Sequence, residues 1–481
     1  MSLRILIILT LFITGSLAKD NKEQRFNPPI KGCYLGIVIE ETKQGFWVKE
    51  IAPGSAAERS GIEKDDIIVR LGDWRFNLDN NSFQDYLKES VPSKTIIQVL
   101  RDGSEMDIEI KPDSLLVKDA KEINRLISRN RLFKDQPNLE ELLVGAIRQS
   151  SDNEAAYRKL NQIVDNFGLS HTAIITPWVA NNLFGEGEKF HLGLFIQKIN
   201  HNGKDGFFIR SMMHGSQARE AGLSVGDEVL SINKYSIGNS PRLTLAGYEH
   251  RRQMYTIMID KNETIDLEFK RTKDGEKNSV KISADRALSA ENSIRKSMRL
   301  IPLNSTNQAG YIHLWNFMSR DNAEILKDAM SNNFSQASAL IIDLRGRGGR
   351  VDVIRTIARM LSSQKKPTIL IIDGESRSAK EMLAHRLQGL SHVTLVGEVT
   401  AGAVLPATFE DLTGGAKLMI PSQRGDSQIL PFMKNTKLEG RGAIPDVKVN
   451  SEIPYSQGKD LILLKSIGIL KKEIQGELLR I

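Results

Sequence analysis

Five consecutive residues, Thr368-Ile369-Leu370-Ile371-Ile372, are mostly branched and apolar and carry no charge. Such a run suits a strand buried on both faces, so this chain needs a sheet covered above and below. Asp373-Gly374-Glu375 breaks the run, and Ser378 to Leu387 has helical character. A serine at a strand-to-helix junction has two uses. Ser376 or Ser378 caps the helix, or one of them is a nucleophile whose developing oxyanion meets backbone N–H groups of the first helical turn.

Strands and helices alternate around this stretch. Tyr311 to Phe317 reads as a strand, Asn322 to Met330 as a helix, Ala339 to Arg345 as a strand running into Gly346-Arg347-Gly348-Gly349, and Val353 to Leu361 as a helix. That order implies a partly parallel sheet with crossover connections. A further helix is expected over Ala287 to Leu300, and an amphipathic one over Asp460 to Leu479.

At 481 residues the chain exceeds one hydrophobic core, and three or four domains are expected. Arg4, the apolar run Ile5 to Ile13 and Gly15-Ser16-Leu17-Ala18 suggest a secretory signal cut after Ala18. Export to the periplasm or the extracellular space is then expected, with no membrane span after the signal is removed; the alternative, an uncleaved membrane anchor, is disfavoured because the run is too short to span comfortably. Cys33 is the one cysteine, so the chain has no internal disulfide and relies on packing.

Two stretches repeat the same order. The first has Tyr34-Leu35-Gly36-Ile37-Val38-Ile39, then Phe46 to Ile51, Pro53-Gly54-Ser55-Ala56-Ala57, Gly61-Ile62 and Asp66-Ile67-Ile68-Val69. The second has His191-Leu192-Gly193-Leu194-Phe195-Ile196, then Phe207-Phe208-Ile209, Gly215-Ser216-Gln217-Ala218, Gly222-Leu223 and Asp227-Glu228-Val229-Leu230. A short helix is expected near Ser82 to Leu87 in the first copy. Each copy resembles a PDZ domain, in which a peptide adds as a strand at the sheet edge and its terminal carboxylate meets backbone N–H groups of the preceding turn. The matching turns are Tyr34, Leu35, Gly36, Ile37 and His191, Leu192, Gly193, Leu194. Either copy, or both, is a candidate to receive peptide, and a copy with a blocked groove would be a spacer.

Asp343 to Gly349, Ser376-Arg377-Ser378-Ala379-Lys380-Glu381, Gly397 to Gly402 and Glu439-Gly440-Arg441-Gly442 stand in the order of the C-terminal (tail-specific) processing peptidases, which this chain resembles from the first repeat to Val449. The resemblance implies an α/β multidomain protein: a crotonase-like α/β peptidase core, two PDZ-like β-rich domains and a helical segment. The expected boundaries are 1–18 signal peptide, 19–30 linker, 31–112 first PDZ-like domain, 118–186 helical region carrying Ser170-His171, 189–285 second PDZ-like domain, 300–450 core and 455–481 C-terminal helix. It places the nucleophile at Ser378.

Many relatives use a lysine just after the Thr-x-Gly loop, where this chain has Ala403. A branch similar to the tricorn core protease uses serine, histidine and glutamate, and Ser170-His171 and Glu439 match it. The resemblance therefore implies Ser378 as nucleophile, His171 as base and acid, Glu439 as orienter and Ser170 as relay, with the N–H groups of Ala379 and of Gly348 or Gly349 as oxyanion hole. Arg377, Lys380 and Arg350 depart from the small neutral residues usual beside the nucleophile, which leaves a catalytically inactive peptide-binding adaptor as the alternative. Lys380 as a replacement base is disfavoured, because two residues along a helix turns it away from Ser378. The net charge of +7 is spread along the chain and does not support nucleic-acid binding. No Cys/His cluster has metal spacing and no phosphate-binding loop is present, so no cofactor is expected. Polypeptides or their C-terminal tails are the expected partners.

Overall fold

The computed structural model describes residues 33–77, 94–134, 138–150, 153–184, 189–247, 254–424, 427 and 429–476. The expected signal peptide, the linker and the helix near Ser82 to Leu87 lie outside the described residues. The chain divides into two compact units, Met1–Ile163 with Glu410–Leu418, and Val164–Phe409 with Met419–Ile481.

The first unit holds the first repeat and the helices that follow it, up to most of the helix Asn153–Asp165. Strands β1 (Ile37–Glu41), β2 (Phe46–Ile51), β3 (Ile67–Leu71), β4 (Thr95–Arg101) and β5 (Ser104–Ile110) form a sheet in the order β1-β2-β3-β4-β5. A four-residue helix, α1 (Ala56–Arg59), is capped by Ser55, and α2 (Leu115–Arg129) and α3 (Glu140–Arg148) follow the sheet. Leu35, Val48, Ile68, Leu71, Ile97 and Val99 make the core between sheet and helix.

The second unit repeats this plan in β6 (Leu194–His201), β7 (Lys204–Met212), α4 (Gln217–Glu220) and β8 (Glu228–Ile232). The correspondence reaches atomic detail. Gly36 and Gly193 have φ of 78° and 65°, and a Cβ at either would fall 2.2 Å from Ser55 Cβ or 2.6 Å from Ser216 Cβ, so both positions demand glycine. The strand register shifts between Val38 and Ile39 in one copy and between Phe195 and Ile196 in the other. Buried Asp66 takes the guanidinium of Arg101, and buried Asp227 takes that of Arg271. The second copy differs in adding β9 (Leu243–Gly247) and β10 (Met254–Ile257) before β11 (Thr264–Lys270) and β12 (Asn278–Ser283).

The α/β core of this unit follows. Helix α5 (Ala290–Ser297) leads into β13 (Arg299–Pro302), then β14 (Gln308–His313), α6 (Asp321–Asp328), β15 (Ala339–Asp343), α7 (Val351–Ser363), β16 (Thr368–Ile372), α8 (Ala379–Leu387), β17 (Val393–Gly397), β18 (Val447–Lys448) and α9 (Leu461–Ile474). The sheet order is β13-β14-β15-β16-β17-β18, parallel except for β13 against β14. Arg299 and Leu300 thus belong to a strand, not to the end of the expected helix. The pairing with Gly310 and Tyr311 outweighs their own good helix propensity.

All five residues of β16 are buried, as the run of branched residues requires. Leu370 and Ile372 join Ile312, Leu340 and Ile342 on the face packed by α7 and α8, while Ile369 and Ile371 join Tyr311, Ile341 and the α9 residues Ile462 and Leu470 on the other. Parallel strands with both faces covered place the connecting turns after β15 and β16 side by side.

Asp343, at the end of β15, is fully buried. It accepts bonds from the Arg345 backbone N–H (3.0 Å), Arg345 Nε (3.0 Å) and Nη2 (2.5 Å), and the Tyr311 hydroxyl (2.8 Å). Arg345 also reaches Asp460, the N-cap of α9, at 2.7 Å. Burial opposes the charge on Asp343, but the Arg345 guanidinium outweighs it and holds the carboxyl well below the usual range. Replacing Asp343 by Ala leaves the buried Tyr311 hydroxyl without its acceptor and the partly buried Arg345 guanidinium with Asp460 alone, and is expected to cost about 3 kcal/mol in urea unfolding. Tyr311→Phe removes only one bond, and is expected to cost about 1 kcal/mol.

Candidate active site

Ser378 stands between β16 and α8 with φ 55° and ψ −123°, a conformation few non-glycine residues adopt. The turn is held from several directions. The Ser378 N–H donates to Ala403 O (2.9 Å) and to Glu381 Oε1 (3.0 Å), and its carbonyl accepts from Met382 N (3.1 Å). Such strain, costing about 1–3 kcal/mol, persists where the surroundings over-determine it, and it is frequent at nucleophiles set on sharp strand-to-helix turns. Ser376 has a different role. It is fully buried, and its hydroxyl bonds Leu344 O (2.9 Å) and Asp373 Oδ1 (3.2 Å), tying this turn to the end of the neighbouring strand.

Glu381 is buried with no cation beside it, and four donors fill its carboxylate. Oε1 accepts from Ser378 N and Ala403 N (2.8 Å), and Oε2 from Gly402 N (2.6 Å) and Thr400 Oγ1 (2.5 Å). Burial pushes its pKa up while these donors pull it down. The spacing Ser-x-x-Glu at a helix start was the available signal for this residue, which the sequence reading does not assign to the site.

The loop 400–405 continues outward. Glu439 Oε2 accepts from Val404 N (2.8 Å) and Leu405 N (3.1 Å), Glu439 Oε1 accepts from Ser170 N (3.2 Å), and the Ser170 hydroxyl lies 3.1 Å from His171 Nδ1. The structure therefore brings Ser170, His171 and Glu439 together on the loop that also binds the backbone of Ser378. Ser170 meets Glu439 through its amide, not its hydroxyl. No hydrogen bond joins His171 to Ser378. His171 has φ 59° and precedes a buried strand, Ala173–Ile175. Desolvation, then the nearby positive charge of Arg377, pull its imidazole well below its usual pKa, so it is neutral near pH 7.

Gly348 packs against the elbow. A Cβ built there falls 2.6 Å from Ser378 Cβ and 2.7 Å from Arg377 O. At Gly349 a Cβ would meet the Phe317 backbone at 2.3 Å. The N–H groups of Gly348, Gly349 and Ala379 donate to no acceptor among the described residues. Lys380 is fully buried on the other side of the turn, donating to Arg345 O (2.7 Å) and Trp315 O (3.0 Å), so it braces the glycine turn and is not positioned as a base. Ala403 contributes only backbone, to Ser378 and Glu381. Cys33 is enclosed, its thiol pushed up to about 12 by burial. Among the described residues no cluster of three His, Cys, Asp or Glu could hold a metal, and no helix is long and apolar enough to cross a membrane.

The turn residues of the repeats differ in setting. Tyr34 and Ile37 are partly exposed, with Leu35 and Gly36 buried, whereas His191, Leu192, Gly193 and Leu194 are all buried.

Fold and site together define a multidomain α/β protein with two PDZ-like domains and a serine elbow beside a glycine-rich turn. Residues 361–449 match Peptidase family S41, and residues 33–111 and 183–246 match the PDZ domain. The chain is 23% identical over 283 residues to the carboxy-terminal processing protease CtpA of Bacillus subtilis (strain 168), covering 52% of this chain and 56% of that protein's length. It is 23% identical over 333 residues to the carboxyl-terminal-processing protease of Picosynechococcus sp., covering 63% of this chain and 75% of that protein. Among solved structures, the photosystem II D1 C-terminal processing protease superposes with a TM-score of 0.42 at 15% identity, covering 72% of this chain and 97% of its own. The tricorn protease superposes with a TM-score of 0.40 at 14% identity, covering 91% and 46%.

Glu381→Ala leaves the buried donors of Thr400, Gly402 and Ala403 without an acceptor, the Ser378 N–H keeping Ala403 O, and is expected to lower stability by about 3 kcal/mol or more in urea unfolding. Lys380 gives a pH signature. Burial holds its ammonium down to about 7, against 10.5 unperturbed. Between those values the unfolded chain carries a proton that the folded chain lacks, so this residue makes stability rise with pH from 7 towards 10, and its penalty is greatest below 7. Lys380→Met is expected to flatten that rise, which amounts to at most roughly 4–5 kcal/mol, in unfolding free energies measured from pH 6.5 to 10.

Proposed function

We propose that this chain is an exported serine endopeptidase that cleaves polypeptides and recognises their C-terminal tails through PDZ-like domains. Ser378 is the nucleophile, His171 the base and acid, and Glu439 the residue that orients the histidine element. The observation that carries this reading is the continuous hydrogen-bonded path from Ser378 through Ala403 and Val404 to Glu439, Ser170 and His171, which joins residues 269 positions apart in sequence. The Gly348, Gly349 and Ala379 amides, which donate to no acceptor among the described residues, suit an oxyanion forming at Ser378.

In this mechanism neutral His171 takes the Ser378 proton as Oγ attacks the peptide carbonyl. The tetrahedral oxyanion is held by backbone N–H groups, and the imidazolium then gives its proton to the leaving amine. Water repeats the sequence to free the acyl group. Export rests on the Ile5 to Ile13 run and Ala18.

One observation favours the second reading, a catalytically inactive peptide-binding adaptor. His171 makes no hydrogen bond to Ser378, and the positive charge of Arg377, next to the serine, bears on the imidazole.

A fluorophosphonate serine probe separates the two. Labelling of the mature chain that is lost in Ser378→Ala and in His171→Ala supports the peptidase, and absence of labelling in folded wild-type protein supports the adaptor. For an active chain the acid limb of kcat/KM is expected below pH 6.5, because the base stays neutral there. Arg377→Met removes a charge that disfavours imidazolium, so it is expected to move that limb to higher pH. A limb unchanged by Arg377→Met would show that His171 is not the titrating base.

A further inference from the structure

The two repeats share a plan but treat their outer edges differently. In the second, β10 lies antiparallel on β6, with Ile196 opposite Tyr255 and Gln197 opposite Met254, and β9 pairs in turn with β10. Thr256 Oγ1 donates to Leu194 O (3.0 Å). This is the edge at which a peptide adds to a PDZ domain, and β10 occupies it. In the first repeat β1 has β2 as its one strand partner among the described residues, and Val38 on it is 43% exposed.

The turns before these strands differ as well. The Gly193 N–H, which a peptide carboxylate would need, donates instead to His191 Nδ1 (3.1 Å). Burial pulls the His191 imidazole down to about 4, so the ring is neutral and Nδ1 keeps the lone pair that accepts this bond. Tyr34 stands at the equivalent place in the first repeat and has no ring nitrogen to offer Gly36. Lys121 Nζ lies 5.7 Å from the Tyr34 ring centroid, but it is paired with Glu140 at 3.6 Å and donates to Pro53 O (3.2 Å), so what distinguishes this turn is its uncommitted Gly36 amide and not a free positive charge.

We propose that the second PDZ-like repeat is closed by its own chain, with β10 serving as a built-in strand ligand, and that the first repeat is the receptor for the free carboxyl terminus of an extended polypeptide. This deepens the function proposed above and rests on its tail-recognition part. The filled edge, the consumed Gly193 amide and the fully buried His191 to Leu194 turn are three separate features of one repeat; among the described residues of the other, β1 has no strand on its outer side, the Gly36 N–H donates to no acceptor, and Tyr34 and Ile37 stay partly exposed. The second repeat then contributes packing and position, not selection of substrate.

The test is hydrogen exchange on the full chain carrying Ser378→Ala, so that nothing is cut. The probe is a pool of short peptides with varied last residues and a free carboxylate, at about 1 mM, alongside the same pool amidated. The expected result is about tenfold slower exchange over 36–41 with the free-acid pool and little change with the amidated one. Exchange over 194–199 is expected to be slow already and unaltered. Protection by peptide appearing at 194–199, or at neither site, overturns the proposal. Cleavage of a denatured protein by the wild-type chain reads the peptidase separately, so loss of either conclusion leaves the other measurable.

Discussion

The carboxylate of Glu381 is the constraint on which the centre depends. A buried carboxylate without a cation is costly unless donors satisfy it. Here the four donors come from three places in the chain: the serine elbow, the start of the following loop and the side chain of Thr400. Meeting the needs of one oxygen pair therefore fixes the elbow against the loop. Thr400 extends the arrangement, since its Oγ1 accepts from Ala443 N and so docks the segment that carries Glu439. The strained backbone of Ser378 is tolerable because these contacts leave it no alternative.

A second buried group does similar work one layer away. Lys380 binds two carbonyls at the base of the glycine-rich turn, and Asp343 with Arg345 anchors the start of that turn to β15 and to the cap of α9. The two turns that meet at Ser378 are thus each held from below by a buried ionisable side chain.

Much of the architecture was legible because it follows local patterns. The apolar run of β16, the repeated Leu-Gly turns and the aspartate-led strands each carry their physical reason within a few residues. The helix expected to end at Leu300 stops earlier, because the pairing of Arg299 to Pro302 with β14 is a long-range interaction that propensity does not report. The local pattern leaves Ser376 and Ser378 together at the junction, and only the resemblance selects Ser378 in the sequence. The distinction comes from Leu344 O on the neighbouring strand, which occupies the Ser376 hydroxyl. Glu439 and Ser170-His171 were readable as motif positions, but the amide contact between them, in place of a hydroxyl relay, is a matter of ångströms that no spacing encodes. The strand pair in the second repeat has a similar origin. Nothing within Leu243 to Ile257 says which edge it will cover.

The distance in sequence between Ser170 and Glu439 has a consequence for biosynthesis. Segments so far apart close a large loop, which forms late relative to local helices and hairpins. A ribosome delivers the histidine turn first, the serine elbow much later and Glu439 later still. Until that last segment docks, the histidine element and the loop beneath the serine have no shared acceptor. Whatever chemistry this centre carries is withheld from the nascent chain, and a fragment truncated before residue 439 would possess both side chains without their common support.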